Sequence, residues 1–210
     1  MAESLAETGK PSAVEPERED AWQVAQREGR HEDALKLLRI AASTKPDDPA
    51  VLLSLAGELM RAGRPQTAVV HLDRLLKRQP GSAEALLMRG TIRLSQQKYE
   101  EAVDDLLPVA TLENAPPSTV SSCGVALLMS GDHAGVDALA GEIINRGGPQ
   151  VGEAFYVRCL SRLKRGLFDE AKADLASLEK SEADSSMVES ARAAVARAAP
   201  PEKQERPDSE

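Results

Sequence analysis

Aromatic residues are scarce in this 210-residue chain: they make up 2% of it, five rings in all. A β-sandwich or β-barrel packs its pleated surfaces with Val, Ile, Tyr, Phe and Trp, whereas this sequence is dominated by Ala, Leu, Glu and Arg. The composition therefore predicts an all-α protein. Three histidines and two cysteines also leave few side chains from which to build a metal or nucleophilic site.

Long apolar runs and concentrated positive charge are absent as well. The opening MAESLAETGK has no basic segment followed by an apolar run, and no stretch approaches the roughly 18 apolar residues of a membrane span. Residues 1–20 hold six acids and two bases, and residues 200–210 hold four acids and two bases, so the ends carry −6 of the net charge of −8. The nearly neutral body lacks the basic face that phosphate binding requires. We expect no signal peptide, no membrane insertion and no nucleic-acid partner.

A repeat of 34 or 35 residues runs along the chain. The residues at which each copy breaks are spaced 34, 34, 34 and 35 apart: Gly29, Gly63, Gln97, Gly131 and Gly166. Five positions after them stand Ala34, Ala68, Ala102, Val136 and Ala171. Four positions further on stand Leu38, Leu72, Leu106, Ala140 and Leu175. Five copies account for about residues 15 to 183, and a period of this length indicates a stack of repeats.

Each copy has the pattern of two helices joined at the break. In the second copy, Asp48 can cap a first helix that has Pro49 at its first position. Gly63 ends that helix, Pro65 opens a second one, and Pro80 stops it. The apolar stripes of the two helices have helical spacing: Leu52, Leu55, Ala56 and Leu59, then Ala68, Leu72, Leu75 and Leu76.

These residues resemble the tetratricopeptide repeat (TPR) pattern, in which a large residue, Leu-Gly, a Tyr-like position, Ala, Phe and Pro recur over 34 residues. The closest matches are Leu52, Leu55, Ala56, Leu59, Ala68, Leu72 and Pro80, and Tyr99 and Phe168 supply the aromatic that often follows the turn. The resemblance covers about four fifths of the chain. It implies an all-α fold, a right-handed α-solenoid of about five TPR-like helix pairs, and a function in binding proteins rather than in catalysis.

Several positions depart from the family pattern. Trp22 replaces a small residue in the first unit, so we expect that helix to pack loosely or to serve as an atypical end. Pro108 lies inside the second helix of unit three and should kink it. Ser186 and Glu189 form a capping box that predicts a last helix over 186–199, covering the apolar end of the stack. We expect a disordered acidic segment over 1–14, a solenoid with its capping helix over 15–199 and a disordered charged tail over 200–210.

Candidates for catalysis or metal binding are weak. His31 and His133 occupy the same repeat position and His71 lies within a helix, but none has a partner at ligand spacing. Cys123 and Cys159 fall at neighbouring small-residue positions of first helices about 8–10 Å apart, too far for a disulfide, and indicate a reducing, cytoplasmic setting. No phosphate-binding loop or hydrolase motif is present. We expect no enzyme activity, no metal and no cofactor.

The remaining candidate site is a concave groove lined by the first helices of successive units. Its expected lining is unusually apolar: Leu53, Met60, Leu87, Met88, Leu94, Val125, Leu128, Met129, Tyr156, Val157, Leu160 and Leu163. Flexible methionines suit a surface that accepts varied apolar side chains, and Arg61, Arg158 and Lys164 are expected to frame it with positive charge. Alternatively, these residues are buried by tight closure of the superhelix, by an N-terminal segment that folds back, or by a second copy.

The groove predicts a non-enzymatic adaptor or chaperone that binds a partner peptide or helix. The positions that form a carboxylate clamp in TPR co-chaperones hold Glu19, Gln23, Ser54, Glu84 and Met88 here, so we expect no binding of Hsp70 or Hsp90 tails. The apolar groove is more similar to that of the TPR chaperones of bacterial type III secretion translocators. A self-associating homo-oligomeric scaffold and a regulatory subunit of an enzyme complex are the other hypotheses.

Overall fold

The structure, a computed structural model, describes residues 20–199. Within that range it contains eleven α-helices and no strand. Their bounds are α1 Ala21–Arg27, α2 His31–Thr44, α3 Pro49–Arg61, α4 Pro65–Arg78, α5 Ala83–Ser95, α6 Tyr99–Ala110, α7 Pro117–Ser130, α8 His133–Arg146, α9 Val151–Lys164, α10 Phe168–Leu178 and α11 Ser185–Ala198. Each helix packs against its neighbours in sequence, and α5 and α9 also pack on α7. The fold is therefore an all-α solenoid of five helix pairs followed by α11, as the sequence predicts.

One turn geometry joins the two helices of every pair. The five break residues all have left-handed backbone: φ is 73° at Gly29, 70° at Gly63, 61° at Gln97, 81° at Gly131 and 74° at Gly166. In each turn the next amide donates a hydrogen bond to the carbonyl five residues earlier, for example Arg30 to Ala25 and Lys98 to Arg93. This pattern is the Schellman motif, which satisfies the free carbonyls at a helix end. The five residues that recur every 34 or 35 positions therefore mark the C-terminal end of the first helix in each pair.

Buried apolar residues fill the space between the helices in three clusters. The N-terminal cluster comprises Trp22, Leu38, Val51, Leu52, Leu55, Ala56, Leu59, Ala68, Leu72, Leu75, Leu76, Ala85 and Ile92. The middle cluster comprises Ala102, Leu106, Ala110, Val120, Cys123, Ala126, Leu127, Leu128, Val136, Leu139, Ala140, Ile143, Ala154 and Val157. The C-terminal cluster comprises Cys159, Ala171 and Val195. The predicted apolar stripes thus face the interior.

Small residues stand where two helices approach closely. A Cβ atom at Gly90 of α5 would lie 2.6 Å from Leu106 Cγ of α6. Ala68 and Ala102 are fully buried at equivalent points of their own pairs. Any larger side chain at these positions would force the helices apart, since protein interiors are close-packed.

The first helix differs from its expected form. The structure begins it at Ala21 and gives it only seven residues; the predicted residues 15–19 of the first unit, and the segments 1–14 and 200–210, lie outside the described residues. Trp22 is 6% exposed and joins the N-terminal cluster, so the expectation of loose packing is wrong. The shortness of the helix fits the expected atypical end of the stack.

Two other predicted features concern the helix ends. Helix α6 continues two residues past Pro108, which lies in its last turn. Pro108 has no amide to donate to the Asp104 carbonyl, and the kink expected there stays a prediction. Helix α11 begins at Ser185 rather than at residue 186, and its cap is Asp184, whose carboxylate accepts a hydrogen bond from the Ser186 amide at 2.8 Å. Asp184 stands just before the first turn of α11, so its carboxylate can accept from a free amide of that turn. Ser186 already lies inside the helix and therefore is not the capping residue that the sequence predicted.

Candidate partner-binding groove

An apolar cavity of about 560 Å³ opens between α7, α9 and α11. Its lining residues are Val125, Leu128, Met129, Leu160, Leu163, Lys164, Ala194, Arg197 and Ala198. Val125 is 38% exposed and Met129 is 51% exposed, which is unusual for large apolar side chains in this protein. These two residues lie one helical turn apart on α7 and therefore form one strip of accessible apolar surface.

The structure brings five of the sequence-predicted groove residues into this cavity: Val125, Leu128, Met129, Leu160 and Leu163. Six others are partly buried. Leu53, Met60 and Met88 pack on the N-terminal cluster, and Leu87, Leu94 and Tyr156 pack on the middle cluster. Val157 is fully buried. Val125 and Met129, the two most exposed members of the predicted lining, both lie on α7 at this cavity.

Helix α11 closes one side of the cavity with residues that the sequence interpretation missed. Ala194, Arg197 and Ala198 line it, although α11 was expected only to cover the end of the stack. The available signal was the pair of small residues at 194 and 198, one turn apart on the helix and three positions from the buried Ala191 and Val195. Small side chains leave space beside α9, and that space is part of the cavity.

Two cations stand at the cavity, and they differ from the predicted set. Lys164 Nζ donates to the Leu128 carbonyl at 3.4 Å, and Arg197 Nε donates to the Ala193 carbonyl at 3.2 Å. Neither forms an ion pair with any carboxylate of residues 20–199. An unpaired cation beside an apolar surface favours a ligand that carries both apolar and acidic groups.

Arg158 was expected to frame the groove, but it lies within the fifth helix pair. Its Nη2 atom is 2.7 Å from Asp174 Oδ1, and Arg162 Nη1 is 2.6 Å from Asp174 Oδ2. Its guanidinium also lies over the Phe155 ring, 5.5 Å from the centroid. The buried aspartate turns Arg158 inward, because a buried carboxylate is costly unless it is paired. Arg61 belongs to a different surface, 3.9 Å from Glu58.

The histidines and cysteines form no common centre. His31 Nδ1 is 3.1 Å from Glu58 Oε2, and His133 Nδ1 is 2.9 Å from Ser161 Oγ, so each contacts the first helix of the next pair. Cys123 and Cys159 are buried and unpaired. Burial raises the pKa of Cys123 to about 12 and that of Cys159 to about 11. Among residues 20–199, no group of three or more His, Cys, Asp or Glu side chains is arranged to hold a metal ion.

The stacked helical hairpins and the open groove define the class of the molecule: an α-solenoid, a fold whose extended surfaces bind other proteins. A tetratricopeptide repeat profile matches residues 21–69 and 53–118, and the same spacing and turn geometry continue through Gly166. Residues 21–118 are therefore tetratricopeptide repeats, which are protein-interaction modules.

Solved structures with the same fold extend over most of the chain. The crystal structure of MamA superposes with a TM-score of 0.69 at 20% identity, over 84% of this chain and 98% of MamA. A tetratricopeptide repeat protein from Parabacteroides merdae superposes with a TM-score of 0.60 at 19% identity, over 84% of this chain and 69% of that protein. At these identities the similarity establishes the fold alone.

A human protein, FK506-binding protein-like, is 35% identical over 81 residues. The alignment covers 38% of this chain and 23% of the human protein, so the match spans less than a quarter of that relative. In the described part of the chain, no helix combines the length and the apolar character needed to cross a membrane.

Proposed function

We propose that this protein is a non-enzymatic adaptor or chaperone that holds a short apolar segment of a partner protein in the cavity between α7, α9 and α11. The observation that carries the proposal is the exposed strip of Val125 and Met129 above the apolar floor of Leu128. Flexible methionine at a binding surface accommodates different apolar anchors. The cavity volume of about 560 Å³ matches a few anchor side chains rather than a whole helix face.

Lys164 and Arg197, which form no ion pair within residues 20–199, add a second requirement for the partner. They favour a segment in which an acidic residue stands beside the apolar anchors, since an opposite charge at the rim aids orientation and association. The two unpaired cysteines support a reducing location, and we propose that the protein acts in the cytoplasm.

Selection of a displayed random peptide library on the full-length protein tests the proposal. Enriched peptides are expected to share apolar anchors next to Asp or Glu. Fluorescence anisotropy of the best peptide should then show that Met129→Glu abolishes measurable binding, because a carboxylate enters the apolar strip. Val70→Glu is the matched control, since Val70 is also an exposed apolar helix residue but lies on α4, outside the cavity.

Retained binding in Met129→Glu, with circular dichroism showing a folded protein, would rule out this site. Light scattering on the same variants addresses the self-associating scaffold. A dimer that persists at low concentration and is dissociated by Met129→Glu would mean that a second copy occupies the cavity, in place of a separate partner.

A further inference from the structure

A second cavity, of about 780 Å³, lies between α2, the C-terminal turn of α3 and the turn that leads into α4. It is separate from the apolar groove and lies at the opposite end of the stack. Its lining residues are His31, Glu32, Leu35, Lys36, Arg39, Glu58, Arg61, Ala62 and Arg64. We call it the basic crevice, because its charge is predominantly positive.

The charge of the crevice is not balanced from within. Four cations line it: Lys36, Arg39, Arg61 and Arg64. Against them stand the exposed Glu32 and the buried Glu58. Glu58 already accepts a hydrogen bond from Gln26 Nε2 at 2.9 Å and contacts His31 Nδ1 at 3.1 Å. Its carboxylate is therefore committed within the fold, and the crevice retains an excess of positive charge.

Arg39 and Arg64 are the cations without a carboxylate partner. Lys36 lies 3.5 Å from Asp33, but neither arginine forms an ion pair with any residue of 20–199. Both also line a neighbouring cavity of about 280 Å³, on the side of His71. They stand where two concave surfaces meet, and concave walls of low dielectric strengthen the local potential. An acidic ligand is the chemistry that fits this position.

The chain itself supplies an acidic segment close by. Residues 15–19 read Glu-Pro-Glu-Arg-Glu and directly precede Asp20, the cap of α1. Trp22, in the first turn of α1, belongs to the same buried cluster as Leu38, the neighbour of Arg39. Five extended residues span about 17 Å, and this is the reach of the segment from Asp20.

We propose that the acidic segment 15–19 binds the basic crevice of its own chain, with Glu15, Glu17 and Glu19 supplying the counter-charge for Arg39 and Arg64. A short tether gives the segment an effective concentration in the millimolar range, which favours it over an acidic segment of another protein. The segment then occupies the crevice until a more acidic competitor displaces it. The proposal does not depend on the function proposed for the apolar groove.

Paramagnetic relaxation in the isotope-labelled full-length protein tests this binding. Ser12→Cys provides a site for a nitroxide label, and the buried thiols of Cys123 and Cys159 stay unlabelled at neutral pH. At low ionic strength we expect broadening of the amide signals of 36–39 and 61–64. The broadening should disappear in Arg39→Gln/Arg64→Gln and at high salt, since exposed charge pairs are screened. Lys172→Gln/Lys180→Gln removes the same charge from exposed positions elsewhere and should leave it unchanged.

Three results would overturn the proposal. The first is an absence of broadening at low salt, and the second is broadening that persists in the double arginine variant. The third is broadening that grows with protein concentration in mixtures of spin-labelled and isotope-labelled chains, because the segment would then bind a second copy. Glu15→Gln/Glu17→Gln/Glu19→Gln is an independent variant that leaves the sequence of residues 20–199 unaltered, and it should abolish the broadening as the double arginine variant does.

Discussion

At the scale of single residues, Gln97 occupies the left-handed turn position that glycine holds in the other four repeats. Its φ of 61° is the only positive value at a residue other than glycine between residues 20 and 199. A side chain in this conformation costs about 1 kcal/mol or more, whereas glycine adopts it freely. We expect Gln97→Gly to raise the free energy of unfolding by about 0.5–1 kcal/mol, measured by urea denaturation.

The reciprocal change is the control for this prediction. Gly63→Gln places the same side chain in an equivalent turn, where a Cβ atom would meet no other atom within 4 Å. It should lower stability through backbone strain alone, by a similar amount. Equal stability of all three proteins would show that the turn tolerates both residues and that our assignment of strain is wrong.

The two cysteines give a second prediction at this scale. Burial raises the thiol pKa to about 12 at Cys123 and about 11 at Cys159, so almost no thiolate is present at pH 8. Because the thiolate is the reactive form, iodoacetamide should modify neither residue in the native protein and both in urea, as mass spectrometry would report. Ala138→Cys, at an exposed position, should react rapidly under native conditions. Fast alkylation of either native cysteine would contradict the burial.

At the scale of helix pairs, a buried aspartate joins the two helices of unit three, and another joins the two helices of unit five. Asp105 of α6 accepts from Arg89 at 2.6 Å and from Arg93 at 2.7 Å, both on α5. The group around Asp174 is equivalent. In units two and four the same two first-helix positions carry Leu55 and Leu59, then Cys123 and Leu127. Ionic and apolar solutions to one packing position therefore alternate from unit two to unit five.

Removing Asp105 leaves two arginines without their buried counter-charge. We expect Asp105→Ala to lower the free energy of unfolding by about 3–5 kcal/mol, measured by urea denaturation. The neighbouring Asp104→Ala, at an exposed position, should change it by less than about 0.5 kcal/mol. A fully apolar set, Arg89→Leu/Arg93→Leu/Asp105→Leu, should recover most of the loss. Failure of the set to recover stability, or a mild effect of Asp105→Ala, would contradict the importance of the pairing.

The sequence was sufficient for the apolar half of each pair and insufficient for the ionic half. Helical periodicity predicted Ala102 and Leu106 as core, because apolar residues reveal the buried face directly. It assigned Arg158 to the groove, because a charged residue is normally counted as exposed. The signal that was overlooked is a repeated spacing: arginines four residues apart, then aspartate sixteen residues after the first, both around Asp105 and around Asp174.

At the scale of the whole molecule, periodicity predicted the solenoid and its turns but not the extent of the groove. It identifies which face of a first helix points away from its partner helix. Whether that face is accessible depends on the curvature of the stack and on α11, and neither follows from the spacing of apolar residues. Leu87 and Met129 were therefore predicted as equivalent groove residues, yet Leu87 packs on the middle cluster and Met129 is half exposed.

The division of the core predicts how the stack opens. The N-terminal cluster ends at Ile92 of α5 and the middle cluster begins at Ala102 of α6, so the change falls at the Asp105 ion group. In a solenoid each repeat contacts only its neighbours, and local stability need not be shared along the chain. A defect in unit two should therefore loosen α1 to α5, and its effect should decrease progressively in the helices after α5.

Native-state hydrogen exchange of Leu72→Ala measures this directly. Leu72 is fully buried in the N-terminal cluster, and its truncation should cost about 2–5 kcal/mol locally. We expect faster exchange throughout α1–α5 and unchanged exchange in α9–α11, which contribute to the C-terminal cluster. Val70→Ala, on the exposed side of the same helix, should alter neither region. Uniformly faster exchange in all eleven described helices would instead mean that the ion groups couple the three clusters into one cooperative unit.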